Sequence, residues 1–185
     1  MHAASLGNQP RMNSTINRLR SAVRNEQRTY SGGADRPLDG YLASMAVYGT
    51  VVAGLSAVAR LTGRKLPERV APWDLAVGVL ATHKLSRLLA KESVTSPLRA
   101  PFTTYSGPAG EAELTEEVRG QGIRHAVGEL ITCPFCLGQW IATGFAAGLV
   151  FTPRATRLVA STFAMLAGSD LLHLGYCRLR GEASS

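Results

Sequence analysis

Residues 128–140 of the chain read Gly128-Glu129-Leu130-Ile131-Thr132-Cys133-Pro134-Phe135-Cys136-Leu137-Gly138-Gln139-Trp140. This stretch holds a C-x-x-C pair and continues without a charged residue into the apolar run Ile141–Phe151. Because proline lacks a backbone N–H, we expect a kink or a new helix start near Thr132–Cys133. The stretch therefore predicts that a pair of thiol groups is carried into a membrane-spanning segment.

The composition favours a membrane partner over a nucleic acid. The chain has 185 residues, enough for one domain, and a net charge of +7. No nucleic-acid-binding motif accompanies this charge, and arginines flank the apolar segments, as at an anionic membrane surface. Three cysteines argue against a pure disulfide framework. We expect contact with a lipid bilayer and none with nucleic acid.

Apolar segments predict four membrane spans, near residues 41–60, 72–90, 126–151 and 155–177. The fold class expected is an all-α, membrane-embedded bundle of about four transmembrane helices, residues 40–180. The first 39 residues contain six arginines and no apolar core of a secretory signal. They predict a basic, disordered tail, and the alternative is a short helix, Asn13–Arg28, lying on lipid headgroups.

Residues 91–124 are the longest connection between predicted spans. Pro97, Pro101 and Pro108 predict a segment without regular structure, with residues 96–102 extended. The acidic residues that follow are expected to form a solvated face: Glu111, Glu113, Glu116 and Glu117.

The distribution of Lys and Arg predicts the orientation of these spans. Fourteen of the 20 basic residues fall on one side, together with both termini, and six fall on the other. The positive-inside rule then places both termini and the long connection in the cytoplasm of a bacterial cell. The basic turn Arg60–Arg69 is the main argument against this orientation.

The cysteines support three interpretations. The predicted topology puts Cys133 and Cys136 at about the membrane level of His173 and Cys177, which share a helix face, so the four could bind zinc. Alternatively, Cys133-Pro134-Phe135-Cys136 has the form of a redox pair, and membrane thiol oxidases that pass electrons to a quinone are four-helix bundles. Plain packing of small apolar cysteines is the third interpretation.

Charged groups also recur inside the predicted spans. We expect a buried polar network in the cytoplasmic half, in which Asp170 and Glu129 pair with Lys84 or Arg87 and His83 lies nearby. Gly144 and Gly148 form a GxxxG pattern that permits close helix approach, including between two copies of the chain.

Four stretches together resemble a known family: Thr82-His83-Lys84-Leu85-Ser86-Arg87, Thr95-Ser96-Pro97-Leu98-Arg99-Ala100-Pro101-Phe102, residues 128–138 and Ser169-Asp170. Over about residues 73–178 the chain resembles the bacterial family called domain of unknown function 1360. Its members are small integral membrane proteins, and some are labelled sporulation proteins. The resemblance implies a membrane protein and brings no established activity and no assigned site.

The function expected is that of a structural or accessory membrane protein, because no motif identifies a substrate or decides whether the chain is an enzyme. The alternative is a membrane thiol–disulfide oxidoreductase that uses Cys133 and Cys136. A soluble helical protein is a third possibility.

Overall fold

The computed structural model describes residues 14–15, 17–19, 21–22, 25–26, 29–30, 38–110 and 112–183. The described positions between 14 and 30 have helical backbone and exposed side chains. Most of the predicted tail lies outside the described residues. Its disorder and the alternative helix therefore both stay predictions.

From residue 38 onward the described part is mostly helical, in the order α1 (Leu38–Leu61), α2 (Pro72–Lys91), α3 (Ser96–Arg99), α4 (Ile123–Thr132), α5 (Pro134–Phe151) and α6 (Pro153–Ala183). A proline stands in the first turn of α2, α3 and α5 and is the first residue of α6. Proline fits there because the N–H that it lacks has no partner within the helix. The helix break expected at Thr132–Cys133 separates α4 from α5.

Three helices in the described part are long and apolar enough to cross a membrane: Leu38–Leu61, Pro134–Phe151 and Pro153–Gly181. Helix α2 is not among them. Within 20 residues it carries Asp74, Lys84, Arg87 and Lys91, which make it much less apolar. The structure thus contains three apolar helices, and the predicted crossing by a fourth stays a prediction.

The described part is mostly helical, as expected, but it is not all-α, and the expected lack of regular structure in residues 91–124 is wrong. A 3₁₀ turn (Ser93–Thr95) and α3 follow α2, and then strands β1 (Thr103–Gly110) and β2 (Glu113–Val118) form an antiparallel hairpin. Pro97 lies in the first turn of α3 rather than in an extended segment. Pro108 is tolerated in β1 because the sheet has two strands, so one side of each strand needs no ladder partner.

Helix α2 packs against both α5 and α6, and α5 packs against α6. Helix α1 lies to one side of these three and packs mainly on α4 and α5. The approach of α1 to α4 is close, because a Cβ added to Gly40 would lie 2.6 Å from the Cβ of Ala126. The arrangement is a three-helix bundle with α1 attached beside it. We call residues 92–132, which join α2 to α5, the connecting segment.

The interior of the described part is built from small side chains. Its buried apolar residues are all alanines: Ala59, Ala81, Ala90, Ala126, Ala160 and Ala167. Large apolar side chains instead face outward, among them Val79, Leu158 and Leu172. A water-soluble protein buries its large apolar side chains, so this distribution is the reverse of the usual one.

Candidate functional site

The two thiols of the C-x-x-C pair lie at the first turn of α5. Cys133 has extended backbone, and its Sγ accepts a hydrogen bond from the Cys136 backbone N–H at 3.2 Å. The thiol of Cys133 therefore takes the place that a serine or threonine hydroxyl usually occupies at the start of a helix. Cys133 is half-buried and Cys136 is exposed, and both are free thiols.

Both thiols line a cleft of about 780 Å³ between α1 on one side and α4 and α5 on the other. Tyr48 and Trp140 meet across the cleft with their ring centroids 5.1 Å apart in an edge-to-face arrangement. The Tyr48 hydroxyl lies 2.9 Å from the Thr143 Oγ1 and hydrogen-bonds to it. The cleft combines aromatic walls with a few polar groups, as ligand sites commonly do.

Glu129 stands one turn before Cys133 and also lines the cleft. Its carboxylate accepts a hydrogen bond from the Tyr41 hydroxyl of α1, and its Oε1 lies 3.5 Å from the His125 Nε2. The carboxylate is thus held by α1 and by its own helix. The expected pairing of Glu129 with Lys84 or Arg87 does not occur among these contacts.

Lys84 lies between two carboxylates. Its Nζ is 2.8 Å from Asp170 Oδ2 of α6 and also forms an ion pair with Glu92, which follows α2. Lys84 is 12% exposed, whereas Asp170 is 49% exposed. The structure therefore places Lys84 and Asp170 together, at the rim of the bundle rather than deep inside it. His83, the remaining member of the predicted network, is exposed.

Two acidic residues of the hairpin, Glu113 and Glu116, are paired rather than solvated, whereas Glu117 is exposed as expected. Both oxygens of Glu113 accept hydrogen bonds from Arg87, at 2.5 Å and 2.7 Å from its Nη2. Glu116 accepts from Arg99, which is 1% exposed and is the largest fully buried side chain in the described part. Glu111 lies outside the described residues. No sequence pattern indicates these pairs. The hairpin brings the carboxylates back to α2 and α3, and the prolines in this segment argue against predicting a hairpin there.

A second ion pair joins α2 to α6 at the opposite end of the bundle. Arg157 directs its Nε and Nη2 at the carboxylate of Asp74, at 3.0 Å and 2.9 Å. Both residues interrupt predicted spans near the same membrane face. The predicted topology therefore already placed these two opposite charges at a similar depth, which would have indicated their pairing. The pairing of Tyr41 with Glu129 had no such signal, because 88 residues separate them.

The four residues considered for zinc are not assembled into a site. His173 and Cys177 are exposed on the last turns of α6. Among residues 38–110 and 112–183, and the described positions before them, no group of three or more His, Cys, Asp or Glu side chains could hold a metal ion.

The two glycines of the GxxxG pattern have different surroundings. A Cβ added to Gly148 would lie 2.4 Å from the Thr156 Oγ1, so this glycine permits the close turn from α5 into α6. Gly144 is exposed, with nothing within 4 Å of an added Cβ. Self-association through these glycines stays a prediction.

Residues 77–176 match the family described as protein of unknown function DUF1360. The chain belongs to this family. One relative is the sporulation protein YjcA of Bacillus subtilis (strain 168), which is 35% identical over 66 residues. That match covers 34% of this chain and 56% of the relative, so the chain spans little more than half of its length. No solved structure matches the chain.

The family match contains the thiol pair, Glu129, the whole connecting segment and the pair of Lys84 with Asp170. Helix α1 lies before the matched residues. One wall of the cleft, including Tyr41 and Tyr48, therefore comes from outside the part of the chain that matches the family.

Proposed function

We propose that the chain is a multi-pass protein of a bacterial cytoplasmic membrane with a structural or accessory role. Helices α1, α2, α5 and α6 cross the bilayer, and the connecting segment forms a folded layer on the cytoplasmic face, where both termini also lie. The main supporting observation is the distribution of side-chain size, which is the reverse of that in a water-soluble protein. Small alanines fill the interior, and large apolar side chains face outward, where lipid can cover them.

The ion pairs of α2 support its place in the membrane. Asp74 pairs with Arg157, and Lys84 pairs with Asp170 and Glu92, so the charges that lower the hydropathy of α2 are matched by partners. Charged side chains in a membrane helix are tolerated when they face the bundle and pair with one another. Helix α2 is held by its neighbours and does not depend on its own hydropathy.

A topology experiment tests this proposal. Reporter fusions after Ser185 and within residues 113–117 are expected to report the cytoplasm, and a fusion within residues 63–69 is expected to report the opposite side. The protein should also stay in the membrane fraction after alkaline carbonate washing. Release by carbonate would contradict membrane insertion, whereas reversed reporters would contradict only the orientation. The relative's name makes spore formation the first process to assay in a deletion strain.

A thiol–disulfide oxidoreductase is the second candidate function, and one observation favours it. Cys133 Sγ accepts the Cys136 amide at the start of α5, and both thiols open into the same cleft. Active dithiols commonly have this position at a helix start. The Cys133 thiolate would attack a substrate disulfide, and the Cys136 thiolate would then displace the substrate sulfur from the mixed disulfide. The substrate gains two electrons and takes up the two protons, and Cys133 and Cys136 become a disulfide.

Trapping tests the second candidate. Cys136→Ser should accumulate a mixed disulfide on Cys133 in cells, and Cys133→Ser should not. Cys177→Ser serves as the matched control, because Cys177 lies on the exposed end of α6, away from the cleft. If no disulfide-linked partner accumulates in any of the three variants, the redox function is wrong and the accessory role stands.

A further inference from the structure

A cavity of about 200 Å³ opens at the end of the bundle where α2 and α6 begin and α5 ends. Val77, Phe145 and Leu149 give it an apolar wall. Its polar lining residues are Asp74 of α2 and Thr156, Arg157 and Ser161 of α6. This cavity is separate from the thiol cleft, with which it shares no lining residue.

Arg157 is held by Asp74 in a way that leaves part of its guanidinium unused. The Nε and Nη2 atoms face the carboxylate, while Nη1 makes no hydrogen bond with any described residue. Arg157 is 56% exposed and Asp74 is 12% exposed, so the accessible edge of the pair is cationic and the carboxylate is shielded. A guanidinium has five N–H donors, so an oriented arginine of this kind can bind an anion without leaving its partner.

Ser161 lies one helical turn after Arg157 on the same face of α6. Its neighbours Thr156 and Thr162 donate their hydroxyls to the carbonyls of Thr152 and Leu158, four residues back, at 2.9 Å and 3.0 Å. Helical serines and threonines commonly form this bond. The Ser161 hydroxyl makes no hydrogen bond with any described residue, although it lines the cavity. Arg157 and Ser161, each with an unused donor, therefore line the same cavity.

We propose that this cavity binds a phosphate group through Arg157 Nη1 and the Ser161 hydroxyl. The planar guanidinium matches phosphate oxygens. The turn between α1 and α2, which precedes the start of α2 at this end of the bundle, carries Arg64, Lys65 and Arg69 against one acidic residue, Glu68, so its net charge is positive. The phosphate belongs either to a phospholipid headgroup or to a soluble phosphate ester. The apolar wall beside the donors and the exposed Trp73 at the cavity fit a headgroup with the start of its acyl chains.

The test uses the full-length protein purified in an uncharged detergent. Short-chain phosphatidylglycerol, the matching diacylglycerol without phosphate, and glycerol phosphate are titrated separately. Native mass spectrometry counts the bound molecules, and the rise in unfolding temperature gives the apparent affinity. Arg157→Lys keeps a charge to pair with Asp74 but removes the extra donor edge, and Ser161→Ala removes one hydroxyl without touching the ion pair. Arg154→Lys and Ser169→Ala are the matched controls on the same helix.

Each test variant is expected to weaken binding of the phosphate-bearing probe by roughly threefold to tenfold, the effect of one lost hydrogen bond. The control variants should bind the phosphate-bearing probe with the affinity of the native chain. Diacylglycerol should show no saturable binding to any variant. Saturable binding of phosphatidylglycerol alone supports the lipid source, and binding of glycerol phosphate as well supports the soluble one. Binding of neither probe, or unchanged affinity in folded Ser161→Ala and Arg157→Lys, overturns the proposal. Only the lipid source rests on the proposed membrane location, which carbonate washing tests independently.

Discussion

Arg99 of α3 donates its Nε–H to the carboxylate of Glu116 in β2, and the two side chains are 1% and 6% exposed. The same guanidinium donates to the carbonyls of Leu89 and Glu92, at 2.8 Å and 3.0 Å. One side chain thus connects the hairpin, α3 and the end of α2. Together with Arg87, which binds Glu113, it attaches the connecting segment to α2 by polar contacts.

Replacing Arg99 with Met is expected to destabilise the protein by about 3–5 kcal/mol, because a buried carboxylate and several carbonyls lose their donor. Unfolding in denaturant, followed with detergent-solubilised protein, measures the loss. Arg119→Met is the control, since Arg119 is exposed and its side chain donates to the Ala100 carbonyl at 2.8 Å. Equal losses in both variants would contradict the central role of Arg99.

The two sides of the Lys84 ion pair are expected to differ in their effect. Lys84→Met leaves two partly exposed carboxylates beside each other without a cation and should cost about 1–3 kcal/mol, the effect of losing a charged donor. Asp170→Asn should cost less than about 1 kcal/mol, because Asp170 is 49% exposed and Lys84 keeps Glu92. The unfolding midpoints of the two variants measure these losses. A loss of stability in Asp170→Asn that equals or exceeds the loss in Lys84→Met would refute the prediction.

Two glycines of α1 offer a matched pair for testing how α1 is attached. A Cβ at Gly40 would overlap the Cβ of Ala126, whereas nothing lies within 4 Å of one at Gly49. Gly40→Ala is expected to cost about 1–3 kcal/mol through overpacking, and Gly49→Ala to gain up to about 1 kcal/mol of helix stability. Crosslinking between α1 and α4 should weaken only in the first variant. Unchanged stability in Gly40→Ala would contradict the close packing of α1 against α4.

Cys133 is expected to respond to substitution as a helix-capping residue. A serine hydroxyl in place of the Cys133 thiol would still accept the Cys136 amide, so Cys133→Ser should preserve stability, while Cys133→Ala should cost about 0.5–2 kcal/mol. At Cys136, which is exposed, Ser and Ala should be equivalent. Zinc analysis of the same samples distinguishes a metal role, in which every substitution would lower both metal content and stability.

The helices were predictable because their pattern is local. Apolar length located α1, α5 and α6, and Pro134 marked the break between α4 and α5. The hairpin was not predictable in this way, since Pro108 and Gly110 argue against a strand and the pairing of β1 with β2 has no strong alternation. Its carboxylates are bound by Arg87 and Arg99, which lie outside the strands.

In the candidate site, too, the local features could be predicted from the sequence, and the contacts between distant residues could not. The thiol pair and a helix irregularity beside it follow from Cys133 and Pro134 alone, and the structure shows that this irregularity is a new helix start. The partner of Glu129 does not, because Tyr41 reaches it only once α1 has packed beside α4. The zinc hypothesis assumed that equal depth in the membrane would bring side chains together. Equal depth does not decide which way a side chain faces around its helix. His173 and Cys177 are exposed on α6, so equal depth does not bring them together with Cys133 and Cys136.

The ion pairs of α2 also constrain how the protein is made. Asp74 and Lys84 leave the ribosome more than 80 residues before Arg157 and Asp170, their partners on α6. Until α6 is synthesised, α2 carries charges that lack these partners and would be costly to place in lipid. In the proposed topology, in which α2 crosses the bilayer, we therefore expect α2 to insert fully only when the last helix has been synthesised.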